Sequence, residues 1–455
     1  MAKTVEAQPL GTNSGKGNIV AIIAMFFLFA MISFVTNLAA PLGTIWSNQY
    51  DWAGMLGNLM NFLAYLFMGI PAGNMLVRIG YKKTALLAML VGLAGLVLQW
   101  LSSFVGADTL IFNVSLNFYI YLLGAFVCGF CVCMLNTVVN PMLTVLGGGG
   151  NTGNQLVQAG GSLNSLAGTL TPLFVGMLIG QVTATTSMTD VIPLLFIAMG
   201  VFVLAFLIIG AVNIPEPHMR KGGAEKVAYS HSPWSFRHTV LGVIGIFFYV
   251  GIEVGIPGVL FFYLSDSASS GITENATAIA GGVVAIYWLL MLVGRLVSTV
   301  ISGKVSSRTQ LLTVTVAAIC LVLIAIFISG DVRVSMPAYS AADGFSMAQV
   351  PAKAIFLVLC GLCTSVMWGG IFNLAVEGLG KYTPQASGIF MMMVVGGGVM
   401  PFIQNAIAKS AGYMPSYWLV VAMLAYLLFY AVAGCRNVNK DIPVNEDTAP
   451  DLRDL

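Results

Sequence analysis

The stretch IPEPHMRKGGAEKVAYSHSPWSFRH, from Ile214 to His238, is the longest internal polar segment of the chain, and what flanks it decides the fold. Apolar runs lie on both sides, each near the roughly 20 residues that a helix needs to cross a hydrocarbon core about 30 Å thick. Six precede the segment, near 18–42, 53–74, 84–105, 112–146, 152–181 and 190–213. Six follow it, near 239–265, 275–302, 308–329, 352–379, 384–410 and 415–434. The sequence therefore predicts an all-α integral membrane protein with twelve transmembrane helices. Its parts are a tail over 1–17, a first six-helix half over 18–213, a linker over 214–238, a second half over 239–434 and a tail over 435–455.

Composition agrees with this division. With 58% hydrophobic residues, 8% charged residues and a mean hydropathy of +0.92, a 455-residue chain has too little polar surface to be solvated as a globule, so its solvent is lipid. Basic residues collect in alternate loops: Arg78, Lys82 and Lys83 after the second run, Arg220, Lys221, Lys226 and Arg237 around the linker, Arg295 to Lys304 ending the eighth with Arg308 following it, and Lys381 after the tenth. The opposite loops hold mainly acids, among them Asp51, Asp108, Asp190, Asp266 and Asp331. By the positive-inside rule both termini and the linker face the cytoplasm, and a bacterial inner membrane is the expected location. No cleaved leader is expected, because the first apolar run is too long and lacks a small-residue cleavage pattern. A net charge of +2 gives no reason to expect a nucleic-acid partner.

Neither metal nor cofactor chemistry is visible. Cys128 and Cys131 have redox spacing, but they sit in an apolar run without a neighbouring His, and all seven cysteines fall within or at the ends of such runs, where they pack as small hydrophobes. His218, His231 and His238 lie in or at the edge of the linker. Four glycines, Gly147 to Gly150, lack the Lys-Ser/Thr that a phosphate loop requires and read as a turn.

Polar groups inside the spans point to function, because each costs a few kcal/mol in lipid unless it is paired or faces a cavity. Of 17 carboxylates only Glu253 falls near the middle of a run, within Tyr249-Val250-Gly251-Ile252-Glu253-Val254-Gly255-Ile256-Pro257-Gly258. Pro257 removes the backbone bond to residue 253, so a kink or an unwound turn is expected beside the carboxylate. Glu253 is the candidate for proton or sodium coupling or for gripping a substrate; bonding to a neighbouring helix is the structural alternative. No titratable partner for it is apparent. Amides gather in spans 1, 4 and 5, at Asn37, Asn136, Asn140, Gln158 and Asn164, with Asn154, Gln155 and Ser165 nearby. They donate and accept, as sugar hydroxyls do, and no cluster of intramembrane Arg or Lys argues for an anionic substrate. Trp368, with Gly369 and Gly370 beside it, is a candidate stacking platform, and Asn373 follows a little over a turn later.

Two sets of motifs carry a family resemblance. Gly73, Arg78, Gly80, Lys82 and Lys83 are in register with the loop signature of the major facilitator superfamily, although Val77 stands where that signature has Asp. Asn136-Thr137-Val138-Val139-Asn140-Pro141, Leu163-Asn164-Ser165-Leu166-Ala167-Gly168, Tyr249-Val250-Gly251 before Glu253, and Glu377-Gly378-Leu379-Gly380 resemble the fucose:proton symporter family, in its glucose/galactose permease-like branch. The resemblance implies the major facilitator fold and import of a neutral hexose by alternating access, ordinarily ion-coupled. It also implies a site lined by Asn37, Asn136, Asn140, Gln158, Asn164, Glu253, Trp368 and Asn373, a gating loop at Gly73 to Lys83, and a monomer. Asn37 and Asn136 stand where fucose permeases carry acids, and Gln158 lies six residues before Asn164 rather than three. An uncoupled uniporter, an exporter of small neutral solutes and a membrane sugar receptor are the alternatives; an enzyme is not expected.

Overall fold

The computed structural model describes residues 15–50, 53, 56–148, 150–179, 187–216, 231–274, 276–340 and 344–444. Among the described residues there are twelve long helices. The first half contains α1 (Gly15–Gln49), α2 (Leu56–Arg78), α3 (Gly80–Leu101), α4 (Leu116–Leu146), α5 (Gly150–Ile179) and α6 (Ile192–Ala211). The second contains α7 (Arg237–Ser265), α8 (Ala276–Ile301), α9 (Ser307–Phe327), α10 (Lys353–Val376), α11 and α12 (Tyr413–Phe429). Helix α11 comes in two pieces, Thr383–Met392 and Gly396–Ala411, separated by a 3-10 turn at Met393–Val395. Among the described residues eleven helical segments are long and apolar enough to cross a bilayer; α5 is the helix richest in amides. Hydrocarbon offers no partner to a free peptide group, so each crossing is a helix that satisfies its own backbone.

The second half repeats the helix pairings of the first. Helices α3 and α4, α2 and α4, α1 and α5, and α3 and α6 pack together, and so do α9 and α10, α8 and α10, α7 and α11, and α9 and α12. A capping device repeats with them. Lys82, at the start of α3, donates to the Gly210 and Val212 carbonyls at the end of α6, at 2.7 and 2.8 Å. Arg308, at the start of α9, donates to the Ala431 and Val432 carbonyls beyond α12 at 2.8 and 2.6 Å. Both cations satisfy carbonyls left without an intrahelical partner and complement the negative end of the helix dipole.

The halves meet chiefly where α2 packs on α11 and α5 on α8. Gly69 and Gly73, one turn apart on α2, face Gly388 of α11 so closely that a Cβ on Gly388 would lie 2.4 Å from the Gly69 carbonyl oxygen. This small-residue contact lets the two backbones touch near the linker end of the bundle. Two features were not anticipated from the sequence. A β-hairpin of β1 (Arg333–Ser340) and β2 (Gly344–Pro351) joins α9 to α10, and α7 runs as one helix through Pro257 rather than unwinding there.

Candidate functional site

Glu253 lies mid-way along α7, one turn beyond Tyr249, so the two side chains share a face. The carbonyl oxygen of Glu253, whose helical donor Pro257 removes, accepts a hydrogen bond from the Tyr287 hydroxyl of α8 at 3.3 Å. That hydroxyl also bonds Thr364 of α10 at 3.0 Å. The exposed backbone acceptor is thus met by a side chain from a neighbouring helix, and α7 stays helical.

The Glu253 carboxylate is paired. Its Oε1 lies 3.2 Å from Nη2 of Arg295, six residues inside the end of α8. Arg295 is nine-tenths buried. Its other terminal nitrogen, Nη1, donates to the Gly161 carbonyl at 2.9 Å and to the Ser165 hydroxyl at 2.8 Å, both on α5 of the opposite half. Arg295 is therefore an interior residue and not one of the loop cations expected from the sequence. A titratable partner for Glu253 exists, and the two buried charges compensate one another.

Around this pair runs a chain of polar and aromatic groups that joins the halves. The Tyr249 hydroxyl faces Glu253 and Arg295 but has no hydrogen-bond partner of ordinary geometry, although the residue is fully buried. The Tyr249 ring lies 6.1 Å from the Trp368 ring at a 53° tilt. Trp368 donates its indole N–H to the Asn140 side-chain oxygen of α4 at 3.1 Å. Asn140 in turn donates to the Asn136 carbonyl at 2.8 Å, and the Asn136 amide donates to the Tyr65 hydroxyl of α2 at 3.0 Å. Gln158 crosses between halves as well, donating to the Val366 carbonyl of α10 at 3.0 Å, next to Gly369.

Asn136, Asn140, Gln158, Glu253 and Trp368 thus belong to one connected region. Asn164 donates to the Phe29 carbonyl of α1 at 2.9 Å, one residue from Ser165. Asn373 is tied to the Ser307 hydroxyl at the start of α9, 2.9 Å away, and so to the framework of the second half rather than to the Trp368 group. The backbone of Asn37 is part of α1, but its side chain lies outside the described residues.

At the loop expected to gate, Gly73 contacts α11, and Gly80, with φ of +87°, turns the chain into α3. The acid that Val77 does not provide comes from elsewhere in the chain. Glu216, beyond α6, accepts hydrogen bonds from the backbone N–H groups of Tyr81 and Lys82, the latter at 2.9 Å, at the positive end of α3. Burial pushes its carboxyl above the usual carboxylate range, against the downward pull of those two bonds and of Lys83 and Lys82. Arg78 ends α2, and Lys82 caps α6.

The sequence reading did not reach Arg295, Tyr65 or Thr364 as members of this region. For Arg295 one signal was available: Leu290 to Val293 and Leu296 to Val300, with Ser298 and Thr299 among them, continue a largely apolar run on both sides of it. Tyr65 gave none, because a tyrosine in an apolar run reads as packing.

Residues 20–400 match the family model of the Major Facilitator Superfamily. A glucose/galactose transporter of Brucella abortus biovar 1 (strain 9-941) is 30% identical over 427 residues, covering 92% of this chain and 94% of the transporter. The L-fucose-proton symporter of Escherichia coli (strain K12) is 22% identical over 441 residues, covering 90% of each chain. Among solved structures, a variant of the E. coli fucose:proton symporter FucP superposes with a TM-score of 0.73 at 19% identity, covering 91% of this chain and 98% of that one.

Proposed function

The chain belongs to the Major Facilitator Superfamily, and from that premise we propose that it is a sugar permease: a secondary transporter that imports a neutral monosaccharide, most simply a hexose, by rocking its two halves about the Tyr249–Glu253–Trp368 region. The names of its relatives support a sugar as substrate. The observation that carries the reading is the Tyr249 hydroxyl, fully buried, outside ordinary hydrogen-bond geometry, and set among a carboxylate, a guanidinium and an indole ring. A buried hydroxyl without a bond of ordinary geometry needs an explanation, and a ligand hydroxyl, which both donates and accepts, provides one.

In this reading Tyr249 and Glu253 bond sugar hydroxyls, Trp368 offers an apolar face, and Asn136, Asn140 and Gln158 supply amides from the first half. Asn37 is a further lining residue on sequence grounds, while Asn164 and Asn373 hold the helices that carry the site. Glu253 couples transport to a proton or to sodium. The protein works as a monomer in a bacterial inner membrane, with its termini and linker in the cytoplasm, where the basic loops of the sequence would put them. A second reading, uncoupled facilitation, is favoured by the Glu253–Arg295 ion pair, since a carboxylate already neutralised by a guanidinium has no need of a proton.

The test is uptake of labelled glucose, galactose and fucose into proteoliposomes, with and without imposed proton or sodium gradients. Accumulation of one sugar under one gradient is expected. Equilibration without accumulation would select the uncoupled reading, and absence of flux for every sugar would overturn the hexose assignment.

A further inference from the structure

Hydrogen bonds cross between the halves from mid-helix toward the linker end. Asn154 donates to Ser302 at 3.1 Å, Gln158 to Val366 at 3.0 Å, Ser387 to Thr137 at 3.4 Å, and Arg295 to both Gly161 and Ser165. Arg295 is the charged member of this set, and it differs from the others in a second respect: it is shared. One of its terminal nitrogens is bound within its own half, to Glu253, and the other is bound across the interface, to α5.

We propose that Arg295 is a conformational latch: its two bonds to α5 hold the linker end of the bundle closed, and Glu253 sets how tightly they do so. This inference rests on the rocking-halves reading of the function and adds to it the residue that times the rocking. With Glu253 ionised, Arg295 has a compensating charge that moves with it, because α7 and α8 belong to the same half. The halves can then part at the cost of two hydrogen bonds that water replaces in the opened cleft. Neutralising Glu253 removes that compensating charge. Arg295 is then a buried cation without a compensating charge, beside the Tyr249 hydroxyl and bonded at ordinary geometry to the Gly161 carbonyl and the Ser165 hydroxyl of the opposite half, and leaving those two becomes more costly. A cation that binds Glu253 therefore biases the transporter toward the state closed at the linker end. The polar neighbour that faces this carboxylate from another position is the Tyr249 hydroxyl on α7, while the Tyr287 hydroxyl of α8 bonds the Glu253 backbone carbonyl.

Ser165 makes the inference separable from substrate binding, since Ser165→Ala removes one latch bond and leaves the Glu253–Arg295 pair in place. Spin labels at Asn151→Cys on α5 and Lys304→Cys beyond α8, both exposed and at the linker end, report the separation of the halves in a Cys320→Ser background. Distances are measured on the sugar-free protein in nanodiscs. Ser165→Ala is expected to raise the open-to-closed ratio roughly three- to tenfold, the equivalent of one hydrogen bond to a charged donor lost from the closed state. Arg295→Gln is expected to raise it further, and Glu253→Gln to lower it. If Arg295→Gln does not fold, Ser165→Ala and Glu253→Gln still decide. Unchanged distance distributions in both, or opening on Glu253→Gln, would overturn the latch. Sugar flux is scored separately, so a protein that moves no sugar but whose label distances respond as expected would defeat the substrate assignment and leave the latch standing.

Discussion

Trp368 of α10 donates its indole N–H to the side-chain oxygen of Asn140 on α4 at 3.1 Å, and the bond joins one six-helix half to the other. The same indole lies beside the Tyr249 ring, so a single side chain is at once a wall of the proposed sugar site and a contact between the moving parts. Transport that couples occupancy to rocking requires such shared residues.

Trp368→Phe keeps an aromatic face and deletes the bond to Asn140. Half-saturation for sugar is expected to rise roughly fivefold, the scale of one neutral hydrogen bond, with the maximal rate within about twofold of wild type. Trp368→Leu, which also removes the ring, is expected to weaken binding well beyond that. Uptake kinetics in proteoliposomes check both.

Tyr287→Phe leaves the Glu253 carbonyl without its donor, at a place where Pro257 has already removed the helical one. An unmet buried acceptor costs about 1–3 kcal/mol. A lowered melting temperature in detergent is expected for this variant and a smaller loss for Tyr426→Phe, whose hydroxyl bonds the Leu241 carbonyl at a part-buried position nearer the helix start.

Gly388→Leu would drive a side chain into α2, because even a Cβ at this position meets the Gly69 carbonyl and the Gly73 backbone. The variant is expected to fold and to bind sugar while losing uptake, since the linker end cannot close. Calorimetric binding set beside flux separates the two effects.

Glu216 provides a pH test outside the membrane spans. Burial raises its carboxyl pKa above the ordinary value, so the folded protein holds that proton more firmly than the unfolded chain. Between the two pKa values the folded state binds more protons, and stability therefore falls as pH rises through that window. Glu216→Gln, which keeps an acceptor oxygen for the N–H groups of Tyr81 and Lys82, is expected to flatten this part of the stability profile. Melting temperatures of the two proteins from acidic to neutral pH give the comparison, and parallel profiles would contradict it.

Most of the helices were legible in the sequence because lipid imposes a simple rule: continuous apolar runs of helical length become crossings. Glu253 stood out for the same reason, as a carboxylate inside such a run. Arg295 did not, because a basic residue within two turns of a span's end looks the same in sequence whether it reaches out to a loop or inward to a partner. Its bonds to Glu253 and across to α5 had to be seen before the difference appeared. Asn373 shows the converse. Its spacing from Trp368 suggested a shared site, but its partner, Ser307, comes from a helix start about 66 residues earlier in the chain, a relation that no local pattern encodes. The substitute for the acid missing at Val77 was hidden in the same way, because Glu216 follows it by more than 130 residues.

The most direct test of the proposed site is equilibrium exchange of a labelled hexose across proteoliposomes for the wild type and for Tyr249→Phe, which removes one buried oxygen and leaves the Glu253–Arg295 pair intact. Exchange by the wild type, with half-saturation raised roughly tenfold in the variant, the scale of a lost hydrogen bond in a charged setting, is the predicted result. Exchange with the same half-saturation in both proteins would mean that the Tyr249 hydroxyl does not meet the sugar, and the site would have to be sought elsewhere between the halves.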